Sequence, residues 1–84
     1  MMLSEIQRHI AMVDIGDFTS LLGQEICNTA NEEDNLFLDV GKSVISCIES
    51  CDKESDFSAM NKMCVAITGY GLETLIMRVS NSQT

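Results

Sequence analysis

The sequence lacks proline and tryptophan, and it is poor in basic residues. Its 84 residues include thirteen Asp and Glu side chains against five Lys and Arg, which gives a formal net charge of −8. Because phosphate groups and anionic membrane surfaces repel such a chain, direct binding of nucleic acid or membranes is not expected. Apolar residues make up 45% of the chain, a fraction typical of a packed globular domain rather than a disordered one.

The absence of proline also bears on the fold class. All-β domains and long irregular loops usually use proline at turns, whereas helix interiors exclude it. A chain of this length builds one core only. We therefore predict an all-α fold, a compact bundle of four to five short helices that forms a single domain over residues 1–84.

The chain contains no run of 18 consecutive apolar residues, so no membrane span is predicted. The first five residues also lack the basic stretch and long apolar run of a secretory signal. These two features predict a cytoplasmic protein.

Predicted helix starts follow from local capping patterns. Ser4 with Gln7 three residues later matches a capping box, which predicts a first helix over residues 5–13. Asp17 is the predicted N-cap of the second helix, and Ser55 or Asp56 that of the fourth.

Predicted helix ends follow from glycines and polar clusters. Gly16 is expected to end the first helix, and the polar residues 31–35 to follow the second, which ends near residue 29 or 30. Gly69 and Gly71 should separate the fourth helix from the last one, after which residues 80–84 form a frayed polar tail.

The third helix, predicted over about residues 34–51, carries a glycine in its apolar sector. Gly41 costs up to about 1 kcal/mol in helix propensity, but the missing side chain permits close approach of another backbone. This position therefore predicts a helix crossing.

The four cysteines and His9 are the candidates for a metal site. Cys47 and Cys51 share a helix face, but Cys27 and Cys64 do not supply the second short-spaced pair that structural zinc sites use. Each cysteine lies in an apolar helical run, so we expect reduced, mostly buried thiols, with no metal and no cofactor.

Catalysis requires a nucleophile with a base, or paired acids in a cleft. The chain offers one histidine, His9, which we expect at the surface, and no G-x-S-x-G, phosphate-loop or dinucleotide-binding fingerprint. We therefore predict that the protein is not an enzyme.

The negative charge is regional. Residues 14–56 hold eleven acids and two lysines, a net charge of −9, whereas the flanking segments together carry +1. One interpretation is a solvated face that maintains solubility, and the other is a surface complementary to a basic partner. The candidate acidic contacts are Glu32, Glu33, Asp34, Asp39, Asp52, Glu54 and Asp56.

Six methionines are the second unusual feature of the composition. Flexible thioethers fill irregular cores, and they also adapt to partner surfaces. We interpret Met60 as core, and Met63 and Met77 as part of a second apolar face that binds a partner or a second copy. Since a short chain has difficulty covering two apolar faces, we expect a homodimer.

Two functions fit these observations. The first is a small acidic inhibitor, of the immunity or anti-defence type, that neutralises a basic, nucleic-acid-binding protein through its acidic surface. The second is a helical chaperone or adaptor that binds a partner through the apolar surface around Met63 and Met77.

Overall fold

The computed structural model describes residues 2–30 and 36–82, which fold into five α-helices. The helices are α1 (Leu3–Ala11), α2 (Ile15–Thr29), α3 (Leu36–Ser50), α4 (Glu54–Thr68) and α5 (Leu72–Ser82). The predicted all-α bundle is confirmed. Within the described residues, no helix combines the length and the apolar character that a membrane span requires.

The core is built mainly by α1, α2, α3 and α5. The largest fully buried side chains are Phe18, Ile6, Leu22, Ile26, Ile48, Leu72, Leu75 and Ile76. From α4, only Phe57, Cys64 and Thr68 are buried. This helix therefore covers the core with one narrow side and leaves much of its surface exposed.

The most extensive packing contact is the crossing of α2 and α3 at Gly41. A Cβ atom at this position would lie 2.6 Å from the carbonyl oxygen of Thr19 and 2.7 Å from the backbone nitrogen of Gly23. Neither backbone atom can move aside without shifting its helix, so only glycine fits. The predicted helix crossing at Gly41 is confirmed.

The end of α4 is set by Gly69. Its φ of 83° lies in the left-handed region, and its N–H donates to the carbonyl of Val65 at 2.8 Å. The predicted break between the last two helices is thus confirmed. The next helix is capped from α4, because the Asn61 side-chain oxygen accepts from the N–H of Leu72 at 2.8 Å.

The predicted capping box of α1 is wrong. The helix begins after Met2, and Ser4 lies inside its first turn. The N–H of Leu3 donates instead to Oε1 of Glu54 at 3.2 Å, so a side chain from α4 caps α1. Gln7 is used elsewhere, as described below.

The predicted starts of α2 and α4 are also wrong. The N-cap of α2 is Asp14, whose carboxylate accepts from the N–H of Asp17 at 3.4 Å, and Gly16 lies within α2 instead of ending α1. The N-cap position of α4 is Lys53, so Ser55 and Asp56 fall in its first turn. In both cases the helix begins earlier than the local capping pattern predicts.

The chain after Ser80 differs from the predicted tail. Residues 80–82 belong to α5, because Ser80 hydrogen-bonds through Oγ to Nε2 of His9 at 2.5 Å and Val79 is buried beside it. Residues 83 and 84, and the predicted loop at 31–35, lie outside the described residues.

Candidate functional site

A groove lies where α3 ends and α4 begins. It has a volume of about 280 Å³ and is hereafter called the α3–α4 groove. Its lining residues are Cys47, Ser50, Cys51, Asp52, Asp56 and Met60. Two candidate acidic contacts, Asp52 and Asp56, therefore share one depression with a methionine.

The wall formed by α3 is fixed by a side chain of α1. Nε2 of Gln7 donates to the carbonyl oxygens of Ile48 and Cys51, each at 2.8 Å. The last carbonyls of a helix have no partner within the helix, so this amide satisfies two of them. The Cys51 thiol donates to the carbonyl of Lys53 at 3.3 Å, which orders the turn into α4.

The two groove carboxylates are exposed and uncompensated. Among the described residues, neither Asp52 nor Asp56 forms an ion pair. Asp56 also lies in the first turn of α4, where the helix dipole stabilises its negative charge. Because Met60 is half-buried beside them, the groove offers an apolar floor and an anionic rim.

This arrangement suits a long basic side chain. The alkyl stem of Lys or Arg can lie on the thioether while its charged head bonds to the carboxylates. The functional groups that line the groove are two thiols, one hydroxyl, two carboxylates and one thioether.

Asp39 lies apart from these acids. It lines a second groove, of about 390 Å³, between α2 and α3, together with Thr19, Ser20, Gln24 and the basic residue Lys42. From Asp39 in the first turn of α3 to Ser50 at its end, the helix rises about 16 Å. The described candidate acids therefore do not form one patch. Glu32, Glu33 and Asp34 lie outside the described residues.

Glu54 has a role within the fold. Although it is exposed, its carboxylate accepts the hydrogen bond from Leu3 that begins α1. A partner that bound this carboxylate would compete with the α1 cap. We therefore assign Glu54 to the support of α1, and we treat only Asp52 and Asp56 as binding residues of the groove.

The two candidate methionines are not equivalent. Met63 is 65% exposed on α4, and Val65 and Ile67 of the same helix are exposed as well. Met77 on α5 is half-buried. Of the two helices on which the sequence predicted an apolar binding surface, α4 therefore carries the more exposed methionine.

The cysteines differ widely in exposure. Cys64 is buried, Cys27 and Cys51 are half-buried, and Cys47 is exposed, so the expectation of mostly buried thiols is correct for Cys64 only. Burial raises the pKa of the Cys64 thiol, because the thiolate is poorly solvated there. Within residues 2–30 and 36–82, no group of three His, Cys, Asp or Glu side chains is arranged to hold a metal ion.

His9 packs into the structure more deeply than expected. It is half-buried, bonded to Ser80, and its ring meets Phe18 edge-on with centroids 6.3 Å apart. These contacts join α1, α2 and α5. The residue therefore holds three helices together instead of lying free at the surface.

Sequence reasoning missed Gln7 and Met60 as parts of the site. The spacing of Met60 from Asp56, four residues apart on α4, places both on one helix face and could have indicated the groove. For Gln7 no local signal exists, because its partners lie more than forty residues away. No family model, curated protein or solved structure matches this chain, so the candidate site rests on its own geometry.

Proposed function

We propose that this protein is a non-catalytic inhibitor that acts in the cytoplasm, where its acidic surface binds and neutralises a basic, nucleic-acid-binding protein. The observation that carries the proposal is the α3–α4 groove, where the exposed carboxylates of Asp52 and Asp56 flank Met60. A nucleic-acid-binding surface is rich in Lys and Arg, so these side chains are the complementary occupants.

The net charge of −8 supports the same partner chemistry. Summed over the surface, it attracts a basic protein at long range and raises the association rate, while the groove supplies the short-range contacts. An inhibitor of this kind acts by occupying the surface that would otherwise contact phosphates.

The first test is affinity capture from a lysate of the source cells, at low salt and at about 0.5 M salt, where exposed charge pairs are heavily screened. We expect a basic, nucleic-acid-binding protein that is released at high salt. The purified partner should then lose nucleic-acid binding when this protein is added. A partner that is retained at high salt would contradict the proposal and favour the chaperone or adaptor function.

The second test locates the contact on the purified partner. The double variant Asp52→Asn/Asp56→Asn should weaken binding by at least about tenfold, since two charge-assisted contacts are lost. The matched control, Glu5→Gln/Asp17→Asn, removes the same charge from exposed positions outside the groove. Equal weakening by both variants would show that only net charge matters.

A third variant set addresses the remaining acids. Reversal of Glu32, Glu33 and Asp34 to lysine should weaken binding and reduce its salt dependence, while the helical circular dichroism stays unchanged. Unchanged binding would remove this segment from the interface and leave the groove as its centre.

A further inference from the structure

The exposed side of α4 carries apolar residues at regular spacing. Ala59, Met63, Ala66 and Ile67 are all exposed, with Met63 65% and Ile67 43% accessible to solvent. Ala59, Met63 and Ala66 follow one another at steps of four and three, the spacing of a helix-pairing seam. We call these four residues the outer face of α4.

The outer face lies in the least acidic part of the chain. Residues 57–82 contain one acid, Glu73, and two bases, Lys62 and Arg78, whereas residues 14–56 carry a net charge of −9. A basic partner is therefore attracted to other surfaces. In a symmetric pair, where the same face of each copy meets, two copies of this acidic chain meet the least repulsion through this face.

From the seam and its charge environment, we infer that the outer face of α4 is the contact surface of a reversible homodimer, formed by antiparallel pairing of α4 with α4 of a second copy. In a pair that crosses midway between Met63 and Ala66, residues at equal distances from the crossing point face each other. Met63 then faces Ala66 of the second copy.

The pairing is complementary in size. The long Met63 side chain lies over an alanine, which lets the helix backbones approach closely. Because this contact occurs twice by symmetry, the surface is self-complementary, as a two-fold dimer requires.

The end of the outer face is held in place by a basic residue. Tyr70 follows the C-cap of α4, and the Arg78 guanidinium lies 4.1 Å from the centre of its ring while also reaching Glu25 at 3.4 Å. Hydrogen bonding to Tyr70 and then to Glu25 raises the pKa of Arg78, so it stays charged. Because Glu25 pairs with Arg78, these two side chains add no net charge at the end of the seam and so add little repulsion between two acidic copies.

The contact is small, so the dimer is weak. A contact made by one helix face is smaller than a standard stable interface, so we expect weak, concentration-dependent pairing. Its salt dependence has the opposite sign to that of the proposed partner binding, because screening reduces repulsion between copies. Failure of one proposal is therefore distinguishable from failure of the other.

The test is sedimentation equilibrium of the full chain under reducing conditions, over a concentration series at low salt and at about 0.5 M salt. We expect a monomer–dimer equilibrium that tightens at high salt. Met63→Glu should raise the dissociation constant at least about tenfold, because the dimer would bury an unpaired charge. Met12→Glu is the matched control, since Met12 is 87% exposed on another part of the surface.

The antiparallel register has its own test. Ala66→Lys should also weaken the dimer, and the double variant Met63→Glu/Ala66→Lys should restore it, since the introduced charges of opposite sign then face each other. A wild-type protein that stays monomeric up to about 1 mM would overturn the dimer. Equal effects of the Met12 and Met63 variants would overturn the surface, and failure of the double variant to restore pairing would overturn the register.

Discussion

The side-chain amide of Gln7 donates to the carbonyl oxygen of Cys51 at 2.8 Å and so links the first helix to the turn that shapes the α3–α4 groove. Its second N–H serves Ile48 at the same distance. One amide of α1 therefore satisfies two carbonyls at the end of α3, and the position of Asp52 directly after them depends on this contact.

Replacement of Gln7 should lower stability. Gln7→Ala removes the side-chain donor from both carbonyls and leaves Ile48 with only the 3.3 Å bond from the N–H of Cys51, which we expect to reduce the unfolding free energy by about 1 to 3 kcal/mol. Gln7→Glu should cost at least as much, since a carboxylate cannot donate to a carbonyl. Urea unfolding followed by circular dichroism measures the change, and Gln24→Ala at an exposed site on α2 is the control, expected near zero.

Enlargement of Gly41 should disrupt the crossing of α2 and α3. Gly41→Ala places a methyl group 2.6 Å from the carbonyl oxygen of Thr19, so the helices must separate, at a cost of about 1 to 3 kcal/mol or more. Gly16→Ala is the matched control. Its Cβ would meet nothing closer than 3.6 Å, so improved helix propensity should leave stability unchanged or higher. Equal loss in both variants in thermal unfolding would contradict the close approach at Gly41.

The capping contact of Glu54 and its negative charge should be separable by substitution. Glu54→Gln keeps an oxygen that can accept from Leu3 but removes the charge, so we expect stability close to wild type. Glu54→Ala also removes the cap and should cost about 0.5 to 2 kcal/mol. Comparison of Glu54→Gln with wild type in partner binding then measures the charge alone, and equal instability of both variants would show that the carboxylate's charge, not its acceptor atom, supports α1.

Alkaline pH should destabilise the fold through Cys64. Burial raises the pKa of this thiol above its usual value of 9.0, so the folded chain keeps a proton that the unfolded chain releases. This contribution is fully present below that usual value, and the unfolding free energy falls as the pH rises above it. Urea unfolding between about pH 8 and pH 10 measures the slope. Cys64→Ala should reduce the slope, whereas Cys47→Ala at an exposed site should not.

Apolar spacing and glycine chemistry predicted the framework well. Gly41 and Gly69 act through a missing Cβ atom, a property that the sequence states directly, and both predictions are confirmed. The helix starts were predicted less well because the sequence shows only local caps. Glu54 caps α1, which begins 51 residues earlier in the sequence, and Asn61 on α4 caps α5. A local capping pattern does not show such partners.

The candidate site was predicted in part for the same reason. Asp52 and Asp56 lie close together in the sequence and remain together in the structure, so local composition was a sufficient guide. Asp39 belongs to the same acidic segment but lines another groove, because the length of α3 separates them. The unequal exposure of Met63 and Met77 depends on how α4 and α5 pack, which periodicity alone does not specify.

Several helix ends are capped by side chains of other helices, so the stability of these helices depends on that of their neighbours. When α4 detaches, α1 loses the acceptor at Glu54 and α5 loses the acceptor at Asn61; when α1 detaches, α3 loses its donor at Gln7. We therefore expect less fraying at these ends, and slower exchange of the backbone amide hydrogens of Leu3 and Leu72 than at a helix end without a cap. We therefore expect the fold to open as one cooperative unit, since these contacts join α1 to α3 and α4, and α4 to α5.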